Sequence, residues 1–421
     1  MCHEQRPVAC VAAAEGSLPQ PESQIAVTFV LRPSPAITST DSRRKGFILA
    51  IASKAPALHP APAFERQDEV FAAAFEVLSK AVNSRVFPGA SLAVTHEGKL
   101  IALKGLGSFT YEGNSPPVMA ETIYDLASVS KVVVTTTMAM ILYERGELDL
   151  DLPLVALIPQ FASEDDRRNE ITLRMVLAHS SGLPAYVKLF EHARTPGELL
   201  RAACGVPLVA DPGTRAEYSD IGFILLGQAL AQIAEEPIDR FAQHHILGPL
   251  GMVHSTFNPP AGWRARIPPT VDDQAFRHRL IQGEVHDENA SVLGGVAGHA
   301  GLFGSAYDLA VFAHCMLKGG APILRPETIG LFTRREQTPP GSSRTLGWDT
   351  PSNPSQSGKY LSPSSFGHLG YTGTSLWIDP VRRLSISLLT NRTWPDNKNQ
   401  AIKEVRPRFH DAVIECLEGQ A

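Results

Sequence analysis

No apolar run in the 421-residue chain approaches the length of a bilayer span, so no membrane-spanning segment organises it. No block of basic residues occurs and the formal net charge is −5, which leaves nucleic-acid binding without electrostatic support. Cysteine is scarce: Cys2, Cys10, Cys204, Cys315 and Cys416 are odd in number and share no Cys-x-x-Cys spacing, so neither a disulfide framework nor a zinc site is indicated. His-Glu-x-x-His is missing, which argues against reading His286, Asp287, Glu288 and His299 as metal ligands. The lack of Gly-x-Ser-x-Gly argues against an α/β-hydrolase esterase. No phosphate-binding glycine loop opens a helix, and no cofactor is implied.

What the chain does have is Tyr124-Asp125-Leu126-Ala127-Ser128-Val129-Ser130-Lys131, followed by an unbroken apolar and β-branched run from Val132 to Tyr143. That pattern predicts a helix apolar on every side, hence buried, with Arg145-Gly146 as its stop. Ser128 and Lys131 then share one face at the head of the helix. A serine hydroxyl becomes a nucleophile when a neighbour takes its proton, and the helix N-terminus offers N–H groups to an oxyanion. Ser-x-x-Lys alone is weak evidence, since on the order of one or two matches arise by chance in such a chain. A second match, Ser42 to Lys45, has no helix behind it, and an ordinary N-cap serine is the plain alternative for Ser128.

Residues 1–65 are rich in Ala, Pro and Ser and read as a disordered extension or a mis-set start. Arg43-Arg44-Lys45 before a short apolar stretch is a faint signal-peptide pattern, which leaves the compartment open between cytoplasm and periplasm or exterior. A helical period runs from Phe64 to Val82. Strands are predicted at Ser91–His96 and Leu100–Leu106 around Glu97-Gly98-Lys99. A mostly helical stretch covers Leu152 to about Ala234, and Pro259–Ile281 is loop-like. The glycine-rich residues 286–304 read either as a packed turn or, by preference, as a wall of the site. Strands Ser375–Ile378 and Leu384–Leu389 and a helix Asn399–Leu417 close the chain. The fold class is therefore α+β: an antiparallel sheet flanked by helices, with an inserted helical sub-domain. The sheet part is expected at about 66–125 and 286–421, and the helical part at about 126–285.

Two further segments join Ser128: Tyr218-Ser219-Asp220 and His368-Leu369-Gly370. With these in order, residues from about 66 onward resemble the serine β-lactamase, penicillin-binding-protein and class C-like esterase superfamily, whose motifs are Ser-x-x-Lys, Tyr-x-Asn and Lys/His-x-Gly. Leu177-Ala178-His179-Ser180-Ser181-Gly182-Leu183-Pro184 and the run from Gly367 to Trp377 are similar to further stretches of that family. The resemblance implies that Ser128 is acylated, Lys131 shares its proton, and Tyr218 is the base, activated as a tyrosinate. It further implies that the N–H groups of Ser128 and Tyr371 form an oxyanion hole, while His368 and Gly370 line the substrate. The choice between Lys131 and Tyr218 as base stays open.

Asp220 stands where the family has Asn, and should hold Lys131 protonated. His368 replaces a fixed cation with a mostly neutral ring. Both departures point away from anionic substrates. The expectation is an esterase or amidase on a small-molecule ester, amide or peptide, with weak or no β-lactam hydrolysis. A D-amino-acid peptidase, penicillin-binding protein or β-lactamase is the alternative within the family. A non-catalytic ligand-binding or sensor member is the alternative outside enzymology. Oligomeric state is not legible.

Overall fold

The computed structural model describes residues 58–419; the basic and apolar stretch at 43–52, the Ser42–Lys45 match, Cys2 and Cys10 lie outside them. Cys204, Cys315 and Cys416 are free thiols. No helix of the described residues is long and apolar enough to cross a membrane.

Local pattern sets the central sheet. Strands β2 (Gly89–His96) and β3 (Lys99–Gly107) turn at Glu97-Gly98, both with positive φ, a two-residue hairpin whose twist suits its strands. β5 (Ser375–Asp379) and β6 (Leu384–Thr390) form a second hairpin. β6 pairs antiparallel with β2, and β4 (Phe366–Leu369) pairs antiparallel with β5 at one edge. β1 (Ala61–Pro62) adds in parallel to β3 at the other edge, inside the stretch read from sequence as an extension. The order is β1-β3-β2-β6-β5-β4.

The side-chain period of two sends alternate residues to two cores. Leu92, Val94, Trp377, Leu384, Ile386 and Leu388 meet helices α1 (Ala72–Asn83) and α5 (Ile402–Glu418), which pack on each other. Ala93, Leu376, Ile378 and Leu389 face the larger core, built with the helical residues between the two hairpins. α2 (Thr137–Glu144) continues a π-helical segment, Lys131–Thr136, and Val132, Val133, Val134, Met138, Met140 and Leu142 are all buried there. The predicted all-round apolar helix is therefore present, with a wider first turn. α3 (Asp220–Ile233) packs against it, and α4 (Ala306–Leu317) lies between this core and the sheet.

Two expectations are corrected. The Phe64–Val82 period breaks at Phe71, which separates Gln67–Val70 from α1. The loop-like 259–281 contains a small antiparallel pair, Val271–Asp273 with Arg279–Ile281. Its polar, proline-flanked strands carry no apolar alternation, so period alone could not reveal them.

Candidate active site

Ser128 sits just ahead of the π-helical turn, after a tight bend. Ala127 has φ 47°, a left-handed conformation that costs an L-residue energy and so marks a constrained position. The bend is held from below: buried Asp125 accepts from the Ala127 N–H at 2.8 Å and from the His286 N–H at 2.6 Å. Burial pushes the Asp125 carboxyl up to about 6.

Two residues converge on the Ser128 hydroxyl, and a third, Asp220, joins them. Lys131 Nζ is 3.0 Å from Ser128 Oγ, and the Tyr218 hydroxyl is 2.7 Å from it. Lys131 is fully buried and also donates to the His299 carbonyl at 2.8 Å and to Asp220 Oδ1 at 2.6 Å. Tyr218 is 3.1 Å from the same Asp220 oxygen. Burial lowers the Lys131 ammonium from its ordinary value, while the Asp220 carboxylate opposes that fall. As an ammonium, Lys131 has an acceptor for each of its three N–H bonds. A resting tyrosinate, expected from the sequence, is not what the surroundings favour. Burial first, and then the Asp220 charge, hold the Tyr218 phenol well above its ordinary range.

Two glycines make the Lys131 contact possible. A Cβ on Gly298 would lie 2.2 Å from the Phe223 carbonyl and 2.8 Å from the Gly227 Cα. Bare backbone therefore lies on α3, placing the Gly298 carbonyl on Thr135 Oγ1 at 2.6 Å and the His299 carbonyl on Lys131. The glycine-rich stretch thus fixes the lysine from behind, while His286, Asp287, Glu288 and Ala300 line the cavity. His299 bonds Asp287 at 2.8 Å. No group of three or more potential metal ligands occurs among the described residues.

The edge strand β4 brings the third motif. His368 Nδ1 donates to the Leu369 carbonyl at 2.8 Å, which leaves Nε2 as the lone-pair nitrogen. Burial holds the ring neutral, well below the usual histidine range. After it, Thr372 Oγ1 donates to the Asp125 carbonyl at 2.8 Å and Thr374 Oγ1 to the Leu126 carbonyl at 2.9 Å. Arg392 donates to the Tyr371 carbonyl, and Arg406 to the Gly370 and Thr374 carbonyls. The Tyr371 turn is thereby fastened to the backbone leading into Ser128. The N–H groups of Ser128 and Tyr371 donate to no protein acceptor among the described residues.

Two further groups stand at the site without a mark of their role in the sequence. His179 is buried, accepts the Ser219 N–H at 3.0 Å, and lays its ring 4.8 Å from that of Tyr218. Its similarity to a family stretch was visible, its contact with Tyr218 was not. Arg344 places its guanidinium 5.6 Å from the Tyr218 ring centre and pairs with Asp349 at 3.6 Å. Both Arg344 and Asp349 line the cavity, so a fixed cation is present although His368 does not supply one. The cavity is about 1330 Å³, room for more than a small ester.

Residues 71–406 match the family model described as Beta-lactamase. A putative D-alanyl-D-alanine carboxypeptidase of Escherichia coli (strain K12) is 32% identical over 343 residues, 73% of this chain and 79% of that protein. An N-acetylmuramyl-L-alanine amidase of Bacillus subtilis (strain 168) is also 32% identical, over 73% of this chain and 77% of its own. Among solved structures, EstCE1, a hydrolase with promiscuous acyltransferase activity, superposes with a TM-score of 0.66 at 23% identity, covering 82% of this chain and 99% of that one.

Proposed function

Because the chain belongs to the β-lactamase family, whose members are serine hydrolases, we propose that it cleaves an ester or amide bond through an acyl-enzyme on Ser128. The observation that carries this is the placement of Ser128 Oγ 3.0 Å from Lys131 Nζ and 2.7 Å from the Tyr218 oxygen. Tyr218 is the route for the serine proton, because Lys131 has no free lone pair while it is an ammonium. The Ser128 and Tyr371 N–H groups are the oxyanion donors, held in place by the Thr372 and Thr374 bonds. The leaving group recovers the proton from Tyr218, and water repeats the sequence to release the acid. No cofactor enters this scheme. Fluorophosphonate treatment should add mass to the Ser128 peptide and stop turnover, and Ser128→Ala should be unlabelled; labelling that persists in that variant refutes the assignment.

An esterase-like specificity is the first reading of the substrate, supported by Asp220 and the neutral His368. Arg344 favours a second reading, a peptidase for a substrate bearing a carboxylate, and the name of the Escherichia coli relative, a putative D-alanyl-D-alanine carboxypeptidase, agrees with it. Comparing kcat/KM for a neutral p-nitrophenyl ester, a D-Ala-D-Ala peptide and a chromogenic cephalosporin separates them. Ester preference unaffected by Arg344→Gln supports the first; peptide preference that falls more than about tenfold in that variant supports the second. Absence of both turnover and labelling would leave a ligand-binding role. We also assign residues from about 58 onward to the catalytic domain, because Ala61 and Ala63 bond the hairpin at Gly98 and Leu100.

A further inference from the structure

Asp220 stands where the family pattern has an amide, and its surroundings give it work that an amide cannot do. As an ammonium, Lys131 has three N–H bonds, and Ser128 Oγ, the His299 carbonyl and Asp220 Oδ1 use all of them. Tyr218 is 2.7 Å from Ser128 Oγ and 3.1 Å from Asp220 Oδ1, but it has one hydrogen to give. A carboxylate only accepts, so that hydrogen belongs on Asp220, and the Tyr218 lone pair then faces the Ser128 hydroxyl. The result is a chain from Ser128 O–H to Tyr218 O–H to the Asp220 carboxylate.

Resting on the acyl-enzyme reading above, we propose that Asp220 is the terminal proton acceptor of acylation, with Tyr218 passing the Ser128 proton on rather than keeping it. As the Ser128 oxygen bonds to the substrate carbonyl carbon, its O–H bond breaks and the proton joins Tyr218, whose own proton joins Asp220. When the carbonyl reforms, the bond to the leaving group breaks. Tyr218 protonates that group and regains its hydrogen from Asp220, so no proton is gained or lost overall. No tyrosinate has to persist, consistent with a buried phenol held above its ordinary range.

The groups around Asp220 suit this role. Lys131 faces it directly, and Asp287 tempers the lysine charge from another side. Arg344 lies over Tyr218, while the His179 and His368 rings beside that tyrosine are held neutral. Tyr186 senses the Asp220 charge but stays a phenol. Asp220 is also the first residue of α3, where the helix end favours the anion.

The test is the rate of fluorophosphonate acylation at pH 7.5, in H₂O and in H₂O–D₂O mixtures, for wild type, Ser128→Ala, Asp220→Asn and Asp220→Glu. Asp220→Asn should lower the rate on the order of 10²–10⁴-fold, and Asp220→Glu should restore part of it. The wild-type rate against the fraction of D₂O should be bowed, the sign of two protons moving together. An Asp220→Asn rate within tenfold of wild type overturns the relay, as does a straight D₂O dependence. A wild type that is not labelled at Ser128 is a different failure, since it removes the acyl-enzyme reading and the relay with it.

Discussion

Gly370→Ala tests how tightly the third motif is tied to the nucleophile. A Cβ at Gly370 would meet the Leu126 carbonyl at 2.6 Å and Thr374 Oγ1 at a shorter distance still. Thr374 can rotate away, but it then gives up its 2.9 Å bond to that carbonyl. The carbonyl itself is backbone, so the turn must retreat until ordinary contact of 3.4 Å is restored, a shift of about 0.8 Å. One lost hydrogen bond and a strained turn cost about 2 kcal/mol of stability. The larger effect is on rate, because the Tyr371 N–H moves with the turn, and a misplacement near 1 Å costs on the order of 10². Stopped-flow acylation with a p-nitrophenyl ester, together with a denaturation midpoint, measures both. A variant within threefold of wild type in acylation would show that the Thr374 contact does not position the oxyanion donor.

Tyr218→Phe should lose on the order of 10²–10⁴ in kcat with its fold retained, and a loss below tenfold would count against the tyrosine as proton carrier. A chain beginning near residue 58 should fold and keep full activity, whereas one beginning near 66 should melt lower because β3 loses its parallel neighbour; equal melting points would show that β1 adds nothing. Acid should destabilise the fold through its buried histidines. His286, pushed down to about 4, and His410, pushed down to about 3, are neutral inside but titrate near 6.5 when unfolded. The unfolded chain therefore binds protons first as pH falls. The contribution of these two groups is fully present above about pH 7.5 and should fall by roughly 2–3 kcal/mol per pH unit between about pH 6 and 4. A urea midpoint that does not move between pH 7.5 and 5 would contradict that account.

Much of this was legible because it is local. The Val132–Tyr143 run, the Glu97-Gly98 turn and the hairpin from Ser375 to Thr390 each declare themselves within a short local stretch. Ser128 and Lys131 met as their spacing required. Asp220 and Tyr218 came into view because ordered motifs carried them. Arg344 was hidden because it lies in irregular chain between 334 and 365, where no period marks what faces inward. The part played by His299 was hidden for another reason: it is the backbone carbonyl that meets Lys131, and a carbonyl leaves no trace in a side-chain pattern. Gly227 and Gly298 were each visible as glycines, but their mutual contact spans two distant segments.

The hydroxyls of Thr372 and Thr374 hang on carbonyls made some 250 residues earlier, at Asp125 and Leu126. Synthesis runs in one direction, so Ser128, Lys131 and Tyr218 all leave the ribosome well before the strand that completes their setting. β2 must likewise wait for β6 before it has a partner on that side. On the acyl-enzyme reading, the nascent chain would carry Ser128 before the turn that fastens the proposed oxyanion donor Tyr371 has been made. Pairings this far apart in sequence must close late, so the setting around Ser128 is among the last parts of the fold to form. A chain cut short after Ser365 would hold Ser128, Lys131 and Tyr218 but lack the Thr372 and Thr374 bonds to the Asp125 and Leu126 carbonyls.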